Sequence, residues 1–370
     1  MALLILNLGY ALLGRELDVA EGVHIEVVDG TISHIGAGYV GGGVDLRHGV
    51  AMPALVNAHL HVLDYAFLEY GAGLRLSEVV SEPHGLKHRL LSSLSPGDAS
   101  YACRRVFSKL LRSGVTSALV FSELPGAIGT IKSEAAELGL AALVLGRPRG
   151  AGLAEVVEAA DGLGLDSPLR YSVEELEEAR RLCRSRGKVV ATHVAESEED
   201  YLRGDFELAL NHLDADLLVH GVHLRGEDVE ALAERGKTVV ACPRSNLWFG
   251  VGLPPLAEFL RRGVNVLLGT DNAGLVEPDV WRELEVAYSV ARLADPSLGA
   301  REVLKMATVN VEEARGVGVS NAIEEGRVAN FVVLDARELE LARAGDAYAS
   351  IVKRGSAACV LKVVRGWARE

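Results

Sequence analysis

Between about residue 115 and residue 271 the chain alternates two textures. Short runs of Val, Leu and Ala recur as GVTSALVFSE, LAALVLGRP, GKVVATHVAE, ADLLVHGVH, KTVVACPRSN and GVNVLLGTDN. Charged amphipathic stretches separate them, among them SVEELEEARRLCRSRG, GEDVEALAERG and PPLAEFLRRG. A strand that is apolar throughout must be covered on both faces, and helices between such strands make the sheet parallel. Gly187, Gly236 and Gly263 close the three amphipathic stretches, where a left-handed residue ends a helix. The polar residues that end the apolar runs also keep a rhythm. His193, His220, Asn246 and Asp271 are 27, 26 and 25 residues apart. From His59 to Asp271 is 212 residues, or about 30 for each of seven intervals, as eight βα units require. The expectation is an α/β fold, a (β/α)8 TIM-like barrel over residues 54–320. A doubly wound open sheet is the alternative, weakened by the lack of GxGxxG after the first strand.

Both ends of the chain read differently. Residues 1–53 carry the β-like runs ALLILN, HIEVVDG and TISHIGAG, with Asp29-Gly30 as a hairpin turn. Residues 321–370 carry ANFVVLD, SIVKRG and ACVLKVVRG. The two segments are expected to form one small composite β-sandwich beside the barrel. With 370 residues, 49% of them hydrophobic, the chain can bury a large core plus a small unit.

A net charge of -13 argues against nucleic acid as a partner, because phosphate binding wants a basic face. Cys103, Cys183, Cys242 and Cys359 lie far apart with no CxxC pair, so neither a cysteine zinc site nor a disulfide framework is expected. A reducing cytoplasm fits. The stretch MALLILNLGYALLG lacks a basic flank and reads as a strand rather than a signal peptide. No run of about 18 uncharged apolar residues suggests a membrane span. A homo-oligomer is compatible with everything above.

The segment MPALVNAHLHVLDY ends an apolar run in His59-Leu60-His61. Along a strand, residues i and i+2 point the same way, so both imidazoles would face the barrel mouth and could grip one divalent metal. Asp64 reads as a loop or capping residue. His193 closes VVATH, His220 closes LLVH and Asp271 closes VLLGTD. Each is a metal-competent side chain placed straight after buried aliphatics, on the face where such barrels keep their sites. Three nitrogens and one carboxylate oxygen suit zinc, with iron(II) or manganese(II) as alternatives. Glu196, in HVAE, would sit on the rim and carry protons; its alternative is a helix N-terminal acid.

These residues, in this order, resemble the amidohydrolase superfamily, from VAMPALVNAHLH to the closing GRVANFVVLD. HVAE, VHGVHL and the Ser-Asn after Cys-Pro resemble its branch of cytosine, guanine and S-adenosylhomocysteine deaminases and chlorohydrolase-like proteins. The resemblance implies one metal held by His59, His61, His193 and Asp271, with Glu196 and His220 as catalysts beyond the ligands. Binuclear relatives bridge two ions with a carboxylated lysine on the fourth strand. Here that region reads ADGLGLDSPLR, with no lysine between Lys132 and Lys188.

The expected reaction is hydrolytic deamination of an amino-substituted heterocycle, a purine, pyrimidine or relative, by a water that the metal acidifies. Asp271 takes the water proton, His220 steadies the developing charge, and Glu196 protonates the ring nitrogen beside the attacked carbon. Alternatives are hydrolysis of a ring amide, as in imidazolonepropionase-like members, and a metal-bearing barrel with no activity. His84, Arg147, Asn246 and Trp248 are the candidate substrate contacts. The loop after the first strand, GLRLSEVVSEPHGLKHRLL, does not match the segment by which adenosine-type deaminases are expected to hold a ribose, which argues against a nucleoside.

Overall fold

The structure is a computed structural model; it describes residues 2–81 and 84–367, and the parts of the terminal segments and of the first-strand loop beyond these lie outside it. Two sheets organise the chain. The first is a mixed sheet of six strands drawn from both ends. The amino-terminal segment supplies β1 (Leu3–Leu13), β2 (Asp18–Val28), β3 (Thr31–Ala37) and β4 (Val44–Pro53). The turn between β2 and β3 is the one expected: Asp29 and Gly30 have φ of 46° and 80°, the doubly left-handed turn that matches strand twist.

β4 leads with one intervening residue into the second sheet. Its strands are β5 (Leu55–His61), β6 (Val115–Ser122), β7 (Ala141–Gly146), β8 (Gly162–Leu165), β9 (Val189–Val194), β10 (Leu217–His220), β11 (Thr238–Ala241), β12 (Asn265–Leu268) and β13 (Asp271–Asn272). Every pairing in this sheet is parallel. β12 and β13 are one strand interrupted at Gly269-Thr270. Its first half pairs with β11 and its second half with β5. The same strand therefore closes the cylinder, and eight strands make the barrel. Gly269 donates to the Ala241 carbonyl on one side of the seam, and Thr270 donates to the His59 carbonyl on the other. A Cβ on Gly269 would lie 2.5 Å from the His59 Cβ, so only glycine permits this approach. Strands β14 (Asn330–Asp335) and β15 (Val360–Arg365) then complete the first sheet, in the order β15-β14-β4-β1-β2-β3.

The barrel interior is packed with Val56, Ala58, Leu119, Phe121, Leu145, Ala191, Val219 and Val240. A larger apolar layer lies between the strands and the surrounding helices. The helices follow the expected grammar. Ser172 and Glu175 form a capping box at the start of the Val173–Ser185 helix. Gly187, Gly236 and Gly263 all have positive φ, as helix-ending glycines should. No helix among the described residues is long and apolar enough to cross a membrane.

Candidate metal centre and cavity

β5 is buried along its whole length, yet it switches phase. Val56 and Ala58 belong to the barrel interior, while Leu60 belongs to the helix-facing layer. Register shifts against β6, between Leu55 and Val56 and between Asn57 and Leu60, mark the irregularity. Such a break re-aims side chains. Here the His59 and His61 rings end up side by side, with centroids 4.7 Å apart.

Four side-chain atoms form a ring. His59 Nε2 lies 3.2 Å from His193 Nε2, and His193 Nε2 lies 3.3 Å from His61 Nε2. Asp271 Oδ1 closes the ring at 3.3 Å from His59 Nε2 and 3.4 Å from His61 Nε2. A tetrahedral cation with bonds of about 2.0–2.1 Å has ligand–ligand edges of about 3.3–3.4 Å. The proton inventory points the same way. His193 Nδ1 is 2.9 Å from the Leu165 carbonyl, which can only accept, so Nδ1 carries the proton and Nε2 a lone pair. His61 Nδ1 is 2.5 Å from Glu123 Oε1, which leaves the His61 Nε2 lone pair facing that of His193. Two opposed lone pairs at that separation call for a cation between them, and this donor set fits one.

The surroundings keep the ring ready to ligate. Burial pushes His59 down to about 3 and also holds His193 well below the ordinary imidazole value, so both stay neutral. Burial alone would raise the Asp271 carboxyl. The hydrogen bond and charge interaction with His59, helped by His61, hold it well below the usual range instead. Ser245 donates to Asp271 Oδ2 at 2.5 Å, which leaves Oδ1 for the ring. Phe121 packs edge-on to His59, with centroids 4.3 Å apart.

His220 is within reach of the same centre: one ligand atom each from His59, His193, His220 and Asp271 all lie within 4.8 Å of one another. Its Nδ1 is 3.0 Å from the Asn246 side-chain nitrogen, and its Nε2 is 3.5 Å from Glu196 Oε1. With the amide nitrogen donating, the His220 proton sits on Nε2 and points at Glu196. Burial lowers His220 to about 4, so it is a neutral donor. Glu196 keeps 15% side-chain exposure at the cavity wall. Burial, then repulsion from Asp271, raises its carboxyl well above the ordinary value. Backbone strain gathers at these strand ends: Ala195, His220 and Asp271 have φ of 48°, 73° and 62°.

Above the ring opens a cavity of about 880 Å³. His61, His193, Glu196, His220 and Asp271 form part of its wall. The loop after β5 supplies another part, through Arg75, Ser77, Val80, Lys87 and His88. Among the candidate contacts, Arg147 lines the cavity, beside Asp166 and Arg170. Asn246 does not: it is fully buried and holds His220, so it is a positioning residue. Trp248 packs against Phe249, and it is Phe249 that lines the cavity. His84 is exposed and is not among the lining residues, whereas His88 is. His88 Nε2 donates to the Val80 carbonyl and Nδ1 accepts from Arg149.

Sequence reading overlooked a buried group behind His61. Lys87 Nζ lies 2.5 Å from Glu123 Oε1 and 2.9 Å from Asp64 Oδ2. Asp64, read as a loop or capping residue, is 1% exposed and pairs with this lysine. Glu123 follows directly on the last residue of β6, the position after buried aliphatics that singled out the histidines, and that signal was available in FSE. Nothing in the sequence marks Lys87, which reaches the site from a short helix, Leu86–Leu91.

Known proteins match this arrangement. The Amidohydrolase family model matches residues 50–366. A Methanothermobacter thermautotrophicus chain provisionally named an aminohydrolase is 32% identical, with 96% of this chain and 95% of that one covered. A 5-methylthioadenosine/S-adenosylhomocysteine deaminase of Moorella thermoacetica is 29% identical over 85% of this chain and 80% of its own. The fold matches an adenosine deaminase of Xanthomonas campestris with bound zinc, at a TM-score of 0.86 and 21% identity, covering 98% of this chain and 91% of that one. Barrel, strand-end ring and sequence agree, and the chain belongs to the amidohydrolase family.

Proposed function

We propose that the protein is a metal-dependent hydrolase that deaminates an amino-substituted heterocycle. One observation carries this reading: a raised carboxyl, Glu196, and a neutral imidazole, His220, stand 3.5 Å apart at the edge of a ring of four metal-competent atoms. A structural metal site needs neither. His59, His61, His193 and Asp271 would hold the ion; zinc is the first choice, with iron(II) or manganese(II) as alternatives. When bound, the cation supplies a water acidified toward pKa of about 7.

The chain's own groups divide the remaining work. Asp271, kept anionic, holds Oδ1 in the ring and accepts the water proton at Oδ2, the oxygen that Ser245 contacts. Glu196, kept protonated, delivers a proton to the ring nitrogen beside the attacked carbon, which makes that carbon electrophilic. His220 Nε2–H donates to the oxygen on which charge develops. The proton taken by Asp271 then passes to the amino group, ammonia leaves as the carbonyl forms, and the hydroxyl proton returns to Glu196. The chemistry requires a C(–NH2)=N unit, which aminopurines, aminopyrimidines and related rings provide.

The relatives named as deaminases of adenosine derivatives favour a purine, and the cavity volume is within the range of small-molecule sites. A nucleoside therefore returns to the panel despite the unmatched loop. The four cysteines are all free and buried, in keeping with a reducing cytoplasm. A homo-oligomer is included in this reading, to be checked by light scattering.

The test is turnover of metal-loaded protein against aminopurines, their nucleosides, aminopyrimidines, pterins and triazines. Deamination releases ammonia and raises the product mass by about one dalton. Ring opening adds a whole water and releases no ammonia, and that outcome would replace this reading. Full metal loading with no turnover on any of these substrates would do the same.

A further inference from the structure

His61 looks two ways. Its Nε2 joins the four-atom ring, and its Nδ1 faces a second cluster with Asp64 and Glu123. One ligand atom from each of these three lies within 4.8 Å of the others, and all three residues are buried. One imidazole nitrogen and two carboxylates are a donor set that suits a divalent ion. The group that stands among them is an ammonium: Lys87 Nζ, 2.5 Å from Glu123 and 2.9 Å from Asp64, on a side chain 5% exposed.

We propose that Lys87 fills a second cation position in this site and thereby limits the protein to one divalent ion. The proposal rests on the reading of His61 as a ligand of the first ion. Two carboxylates buried side by side need positive charge between them, because neither can be ionised there alone at acceptable cost. A lysine supplies it as a compact point charge with three donors. Glu123 Oε1 is shared between Lys87 and His61 Nδ1, so the lysine also anchors the acceptor that orients His61.

Burial would raise Glu123, but Lys87 and then His61 hold it well below the usual carboxylate range. For Lys87 burial works against the charge, and Asp64 and Glu123 keep it above its ordinary value. Both directions describe an ion pair that a divalent cation could replace.

The experiment counts ions. Full-length protein is stripped of metal and dialysed against Mn2+. Bound manganese per chain is measured by mass spectrometry, and pairs of ions are detected by spin–spin broadening in electron paramagnetic resonance. Wild type should bind one ion. Lys87→Ala should bind two, with a broadened spectrum, because His61, its Nδ1 proton released to solvent, would bridge the two ions. Lys87→Ser is the second variant, since a hydroxyl and water can fill the space left. Lys87→Ala/Glu123→Ala should return to one ion. Two ions in wild type overturn the proposal without any variant. A single ion in folded Lys87→Ala and Lys87→Ser overturns it, as does a second ion that persists when Glu123 is also removed. Zero ions in wild type would instead remove the functional reading beneath it, so the two failures are distinguishable.

Discussion

Replacing Glu196 with glutamine isolates proton transfer from every other duty of the site. The carboxyl contacts His220 Nε2 at 3.5 Å and takes no part in the four-atom ring, so the ion should stay bound. Burial and then Asp271 raise its pKa well above the ordinary carboxyl value, which favours the protonated acid. A glutamine has the same shape, is also neutral, and can donate a hydrogen bond. What it cannot do is release a proton. Substrate binding should therefore change little, while kcat falls by the worth of a general acid, about 10²- to 10⁴-fold. At about 1.36 kcal/mol per decade, this is a barrier increase of about 3–5 kcal/mol. The assay is ammonia release from the best substrate under saturating and limiting conditions, with bound metal measured on the same samples. The pH profile adds a second readout. Wild-type kcat should decline as pH rises through the raised Glu196 pKa, and the residual activity of E196Q should lack that limb. A kcat within threefold of wild type, or loss of the ion, would refute the assignment.

Three further outcomes follow from the same geometry. His193→Ala opens the ring at its centre and should leave almost no bound ion after dialysis, with helix content by circular dichroism unchanged; full metal content would place the ion elsewhere. Phe121→Ala removes a ring that is 1% exposed and packed edge-on to His59, and should cost about 3–5 kcal/mol in urea unfolding; a loss below about 1 kcal/mol would contradict that packing. Asp205 accepts from the Ala195 amide at 2.6 Å, and burial pushes its carboxyl up to about 7. From pH 4 to 7 the unfolded chain gives up this proton and the folded chain keeps it, so stability falls as pH rises, by at most about 4 kcal/mol. Asp205→Asn should flatten that slope, and an unchanged slope in denaturant titrations at pH 4.5 and 7 would show that Asp205 is not its source.

The barrel was legible because each βα unit repeats the same physical demand: an apolar strand, a covering helix, a glycine to end it. His59, His61, His193, His220 and Asp271 stood out for a related reason, as polar residues where a buried strand gives way to the mouth. Glu123 occupies the same kind of position and was passed over, because a lone acid after a strand resembles a cap. Lys87 was beyond reach: only the folding of a long, irregular loop brings it under the site. Trp248 and Asn246 fall outside the cavity lining for a simpler reason. On the Pro243–Phe249 helix the sequence shows which residues are near the site, but not which of them turn toward His220 and which toward neighbouring aromatics. Nor does a sequence reveal that His220 and Asp271 must adopt left-handed backbone to aim inward.

The split eighth strand ties assembly to chemistry. The Thr270 amide that latches onto the His59 carbonyl neighbours Asp271, so the cylinder's last stitch and the ring's only carboxylate are set by one local event. Hydrogen exchange at that single amide should thus report both whether the cylinder is shut and whether the pocket can grip an ion. A chain caught with its seam ajar would be nearly folded and wholly inert.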